Sequence, residues 1–239
     1  MDHHQHGFQP RTFWVLVGGC LLAFLNASVN AGLFFEVGNS IAQMSGEVTR
    51  LSWTLLEHKR LALGLNASIT VLAFLLGATL TGFVIHHPTV DKRLPYGRSL
   101  MFIGACLLIA HLYLPDRPRA ALVFGGFASG FQNALATHYR GIILRTTHIT
   151  GLLTDVGSHL GMILRGHQIA AWKVWVPALV VIFFFLGGFF GAWLFFAEKP
   201  YLILLGGTYL ISGALWFIIQ RIVLKIDYIS RPLHQKTGE

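Results

Sequence analysis

The feature that most limits what this chain can become is a series of long apolar runs parted by short polar joints. The runs cover 13–35, 62–85, 100–114, 120–139, 172–196 and 201–222. A helix needs about 20 apolar residues to cross roughly 30 Å of hydrocarbon. In lipid every backbone N–H and C=O must find a partner within the protein, and a helix supplies one residue by residue. The expected fold is all-α, a polytopic helical membrane protein. Composition agrees, because 12% of the residues are charged, about half the share of a soluble domain. A formal net charge of +8 suits a nucleic-acid binder, but here the basic residues are scattered between apolar runs. The positive-inside rule populates those positions, so no nucleic-acid partner is expected. Cys20 and Cys106 lie inside apolar runs without a CxxC spacing and read as packed thiols. The first run has no small-residue cleavage site and reads as a retained span.

Two polar stretches interrupt this pattern, and they share one grammar. Residues 30–51 read NAGLFFEVGNSIAQMSGEVTRL, and residues 132–157 read QNALATHYRGIILRTTHITGLLTDVG. Asn30-Ala31 matches Asn133-Ala134, Met44-Ser45-Gly46 matches Ile149-Thr150-Gly151, and Thr49 matches Thr154. A charge of opposite sign follows, Arg50 in one and Asp155 in the other. The apolar runs echo each other too, with FLLGA at 74–78 and FFLGG at 184–188. This reads as an internal repeat. One membrane domain is expected, with repeat 1 over about 13–115 and repeat 2 over about 118–226, between polar tails 1–12 and 227–239. Six clear transmembrane helices would then be joined by two Gly-interrupted motif helices. Two topologies stay open. If the motif helices dip in and return, six spans form and the repeats are inverted. If they cross, eight spans form and the repeats are parallel. Counting Lys and Arg puts both termini in the cytoplasm either way.

The stretches NASVNAG, AQMSGEVTRL, FLLGATLTG, FQNAL and TTHITGLLTDVG occur in that order. Together they resemble the YoaK family of bacterial membrane proteins, a family of unknown function. The likeness runs from about Gly18 to about Phe217. Departures are Asn30, where the family pattern leads one to expect aspartate, and Glu47 and Leu152, where it leads one to expect asparagine. The resemblance implies a multi-pass helical protein of the bacterial inner membrane and names no substrate or reaction.

Catalytic signatures are lacking: the chain has no GxSxG, no HExxH, no Walker loop and no GxGxxG. No catalytic residue, metal or cofactor is expected, and an enzyme acting on a lipid-borne substrate is the minor reading. A non-transporting assembly or sensor protein is the other alternative. His148, Asp155 and His159 are spread over three turns of one helix and converge poorly on an ion. Asp155 and His159, four apart, suit a proton relay better, since ionisable groups inside a membrane are functional candidates by default. Ser45-Gly46 and Thr150-Gly151 read as breaks ahead of helix N-termini, whose free N–H groups attract anions or carbonyls. A repeated pair of Gly-interrupted polar segments is the sequence mark of a transporter site near the midplane. The candidate substrate-binding residues are Asn30, Ser45, Gly46, Glu47, Arg50, Asn133, Thr150, Gly151, Asp155 and His159. The partners expected are membrane lipids and a small solute, anionic or proton-coupled. Arg50 and Asp155 are expected to pair across the repeat interface, with Glu47 competing for Arg50 one turn away.

Overall fold

The computed structural model describes residues 10–57, 60–85, 96–135 and 147–223, with side chains of the first helix from residue 15 onward. Eight α-helices are formed among them: α1 Pro10–Val37, α2 Met44–Thr54, α3 Leu61–Val84, α4 Tyr96–Tyr113, α5 Pro118–Leu135, α6 Ile149–Leu164, α7 Trp172–Phe196 and α8 Tyr201–Ile218. A short π-helical turn, Ile219–Val223, extends α8. Five helices, α1, α3, α4, α7 and α8, are long and apolar enough to cross a membrane.

Three close pairings organise the long helices: α1 on α7, α3 on α5, and α4 on α8. Each depends on glycines that let backbones touch. A Cβ at Gly187 or Gly191 would run into the carbonyls of Phe24 and Ser28, and a Cβ at Gly77 or Gly130 into those of Phe127 and Phe74. A Cβ at Gly104 would lie 2.6 Å from Gly206 O, and one at Gly97 would lie 2.7 Å from Gly213 O. Hydroxyls fasten two of these seams. Ser28 Oγ lies 2.8 Å from Phe24 O and 2.9 Å from Gly187 O, while Thr81 Oγ1 lies 2.8 Å from Phe131 O.

The order of these contacts fixes the helix directions. Contacts advance together along α1 and α7 and along α3 and α5, so those pairs are parallel; along α4 and α8 they run in opposite senses. If both short helices crossed the bilayer, α4 and α8 would be parallel. If one did, α1 and α7 would be antiparallel. Therefore α2 and α6 each leave and return on one side, and six long helices alternate in direction. The lengths agree: eleven residues in α2 reach about 16 Å, well short of the hydrocarbon.

The sixth long helix, α5, is less apolar because protein encloses much of it. Leu122, Gly125, Gly126, Ala128, Ser129, Phe131 and Gln132 are all buried, so polar side chains there do not meet lipid. Trp172, Trp175, Tyr96 and Tyr201 all stand in the first turn of a helix, the place of an interfacial aromatic anchor. Tyr201 differs in role. It is 5% exposed, and its ring fills the space a Cβ at Gly32 would need, so it packs α8 on α1.

Candidate functional site

The first motif folds into a hydrogen-bonded knot that closes the loop between α1 and α2, with Asn39 Oδ1 buried and unpartnered among the described residues. Gly38 ends α1 with φ +76°, a left-handed angle that glycine takes without strain, and its N–H reaches Phe34 O at 2.8 Å. Glu47, 1% exposed, then accepts from Asn39 Nδ2 and from the Ser40 N–H, both at 2.8 Å. Arg50 lies 3.6 Å from the same carboxylate and also donates to Gly38 O. From the other side Asn30 Oδ1 accepts from Ser40 Oγ at 2.8 Å and from Ala42 N at 3.0 Å. Ser45 and Gly46 are exposed in the first turn of α2, and a Cβ at Gly46 would meet nothing within 4 Å. Gly46 thus serves neither an unusual backbone angle nor a close approach.

The second motif is looser. Residues 136–146 lie outside the described part. On α6, Thr150 and Asp155 are exposed, and a Cβ at Gly151 would press within 2.8 Å of the His148 ring. His159 is half-buried with an unpartnered Nδ1, and the buried Asn133 Oδ1 has no partner among the described residues. Leu152, where the first motif has Glu47, is buried with Leu16, Cys20 and Ala23 of α1 and Val176 and Val180 of α7. It therefore grips the N-terminal half of α1, whereas the first motif grips Asn30 and the C-terminal end. The two motifs stand at opposite ends of the bundle. The expected Arg50–Asp155 pair does not form, because Arg50 is held locally by Glu47 and Gly38. No group of three His, Cys, Asp or Glu side chains suited to a metal gathers among the described residues.

What meets at mid-depth is a neutral cluster that the motif reading passed over. Asn26 on α1, Ser129 and Gln132 on α5, and Tyr209 on α8 are 2%, 4%, 1% and 1% exposed. Ser129 Oγ donates to Asn26 Oδ1 at 3.1 Å, Gln132 Nε2 donates to Leu22 O at 2.8 Å, and the Tyr209 hydroxyl donates to Gln132 Oε1. Asn26 Nδ2 is buried with no partner among the described residues. These four side chains line a small cavity, closed further by Val29, Ile41, Ile103 and Leu107. The space open to the centre of a water molecule is ≈ 10 Å³, about the least that holds one water. Tyr209 had a legible signal: tyrosines of membrane helices favour the interface, and one in mid-span needs a buried partner.

The fold and this buried polar centre define a polytopic α-helical membrane protein. Within that class, the chain belongs to the family described as Protein of unknown function (DUF1275), known as YoaK-like membrane proteins, whose sequence profile matches residues 18–216. No curated protein and no solved structure matches the chain.

Proposed function

We propose that the protein is a small-solute transporter of the bacterial inner membrane, built from two inverted repeats that rock about the central cavity, with both termini cytoplasmic. One observation carries this reading: the Asn26–Ser129 hydrogen bond where α1 and α5 cross antiparallel. The same interval, 103 residues, separates 26 from 129 and 30 from 133. Matched positions of the two halves therefore touch, which is the behaviour expected at a pseudo-twofold axis. Gly104 and Gly206 meet in the same way on α4 and α8. The pairing of helices is matched as well, since α1 on α7 corresponds to α5 on α3, and α2 on α3 to α6 on α7. Inverted repeats meeting over polar groups near the midplane form the arrangement in which many secondary transporters bind.

An asymmetry in the packing supports rocking. Two units, α1 with α6 and α7, and α3 with α2 and α5, flank the α4–α8 pair. α5 lies broadly on α4, whereas its counterpart, α1 on α8, is a narrow contact. An exchange of those two arrangements would present the cavity to the other side of the membrane. The basic residues Lys225, Arg231 and Lys236 near the C-terminus support its cytoplasmic placement. In this reading Ser45, Thr150 and Asp155 flank the entrances, away from the binding site.

Accessibility tests the reading without knowledge of the solute. Val29→Cys and Ala128→Cys, each in a Cys20→Ala, Cys106→Ala background, are treated with a membrane-impermeant maleimide in vesicles of both orientations. Labelling of each cavity position from both sides is expected. Labelling from neither side would rule out a path through this cavity.

A further inference from the structure

The geometry points to the cavity between α1, α5 and α8 as a binding site for a small uncharged solute that both accepts and donates hydrogen bonds; this rests on the transporter reading and names its substrate class. The donors and acceptors left open at the site carry the inference. Asn26 Oδ1 is occupied by Ser129 and Gln132 Oε1 by Tyr209, so the two amide oxygens are already used as acceptors. One N–H of Gln132 is spent on Leu22 O. Still open among the described residues are both N–H groups of Asn26 Nδ2, the second N–H of Gln132, lone pairs on Ser129 Oγ and Tyr209 Oη, and one lone pair on each amide oxygen.

A buried N–H without an acceptor costs on the order of 1–3 kcal/mol, a cost that an acceptor oxygen on a bound solute would remove. The unfilled Asn26 Nδ2 is therefore best explained as a donor kept for a ligand. Charge excludes ions. No charged side chain lines the cavity among the described residues, and stripping an ion of water without a counter-charge is far costlier than stripping a neutral molecule. A cation would need several oxygens turned inward without competing donors, and here each amide oxygen already accepts a hydrogen bond while unpaired N–H groups stand beside it. An anion would need a ring of donors, and the open N–H groups come from two side chains only. A neutral molecule with one carbonyl or hydroxyl oxygen facing Asn26 and an N–H or O–H facing Ser129 and Tyr209 fits the inventory. In this closed arrangement the ≈ 10 Å³ available holds about one water, so a solute enters only when the halves move apart.

The test is solute-driven volume change of proteoliposomes followed by stopped-flow light scattering, with formamide, urea and glycerol as neutral probes and potassium chloride and sodium glutamate as ionic ones. At least one neutral probe is expected to equilibrate tenfold or more faster than in protein-free vesicles, and neither salt is. Asn26→Leu should bring the neutral rate to within about twofold of protein-free vesicles, Asn26→Gln should keep part of it, and Ser158→Ala, an exposed change away from the cavity, should keep most. Because Asn26→Leu orphans the Ser129 hydroxyl, the Asn26→Leu, Ser129→Ala double variant serves as a folding control, judged by a monodisperse gel-filtration profile. Entry of salts alone, entry of no probe at all, or an unchanged neutral rate in folded Asn26→Leu would each overturn the assignment. If cavity cysteines are still labelled from both sides in that event, the transporter reading survives and the neutral class fails. If they are labelled from neither side, both fail.

Discussion

Glu47 is the most heavily bound charge in the described structure, and its partners are all local. Two hydrogen bonds and Arg50 hold its carboxylate, and in return it fixes the backbone of Gly38–Ser40. Removing one member of a buried ion pair costs roughly 3–5 kcal/mol, since the remaining groups lose their partner out of water. Glu47→Leu should therefore lower the thermal unfolding midpoint in detergent sharply, even though the matching position 152 is leucine in this same chain. Glu47→Gln should cost less, because an amide oxygen still accepts from Asn39 or Ser40. Asp155→Ala, an exposed change, should shift the stability by no more than about 0.5 kcal/mol. Unfolding scans of the three variants give the ranking, and an Asp155 variant as unstable as Glu47→Leu would contradict it. The spacing of Glu47 and Arg50 announced a local pair, but nothing in a linear string tells that Ser40 N–H folds back onto the carboxylate, and the more distant Asp155 was given that role. The four residues at the centre escaped for a similar reason. Asn26, Ser129, Gln132 and Tyr209 come from three helices with no common spacing, and only the crossing of α1 and α5 makes them one group.

Among the helices, glycines sort into two kinds that the sequence does not distinguish. Gly77, Gly130, Gly187 and Gly191 lie where a neighbouring backbone occupies the place of a Cβ, whereas Gly46 and Gly18 face open space. Gly187→Ala and Gly77→Ala must push apart α1 from α7 and α3 from α5, an overpacking that costs typically 1–3 kcal/mol. Gly46→Ala should be neutral or stabilise by about 0.5–1 kcal/mol, since alanine loses less backbone freedom in a helix. Melting curves of the three proteins check this, and a destabilised Gly46→Ala would show that the α2 N-terminus is covered by something in the membrane. Helix existence was legible throughout because lipid imposes it: the runs at 172–196 and 201–222 start where α7 and α8 start. The weak element was α5. Its burial against α3 and α4 removes the need for apolarity, so the helix is less hydrophobic than its neighbours, although the run at 120–139 still announced it.

For the whole molecule, the sequence left six and eight crossings open, and the directions of α1, α4, α7 and α8 fit six alternating helices, five of them long and apolar enough to cross a membrane. Consequently α2 and α6 lie on opposite sides: cysteines at the exposed Ser45 and Ser158 should react with an impermeant reagent from opposite faces of the membrane. Reaction of both from one face would contradict the antiparallel α4–α8 pair. The unequal contacts of the two halves lead to the last prediction. Residues near one end of α5 and α4 are tightly joined, with Phe124 stacked on Tyr113 at 5.9 Å between ring centroids, while α1 meets α8 through little more than Gly32 against Tyr201. If the halves exchange arrangements, α5 must lift from α4 as α1 closes on α8. Spin labels at the exposed pairs Leu112–Val123 and Phe34–Leu204 report the two gaps separately in lipid nanodiscs. Rocking predicts that solutes able to enter shift weight between two populations, the first distance lengthening as the second shortens. A cavity that is merely structural predicts one narrow distance for each pair, unmoved by any solute. A shift in the same direction at both gaps would mean loosening of the whole bundle, and the exchange would then be wrong.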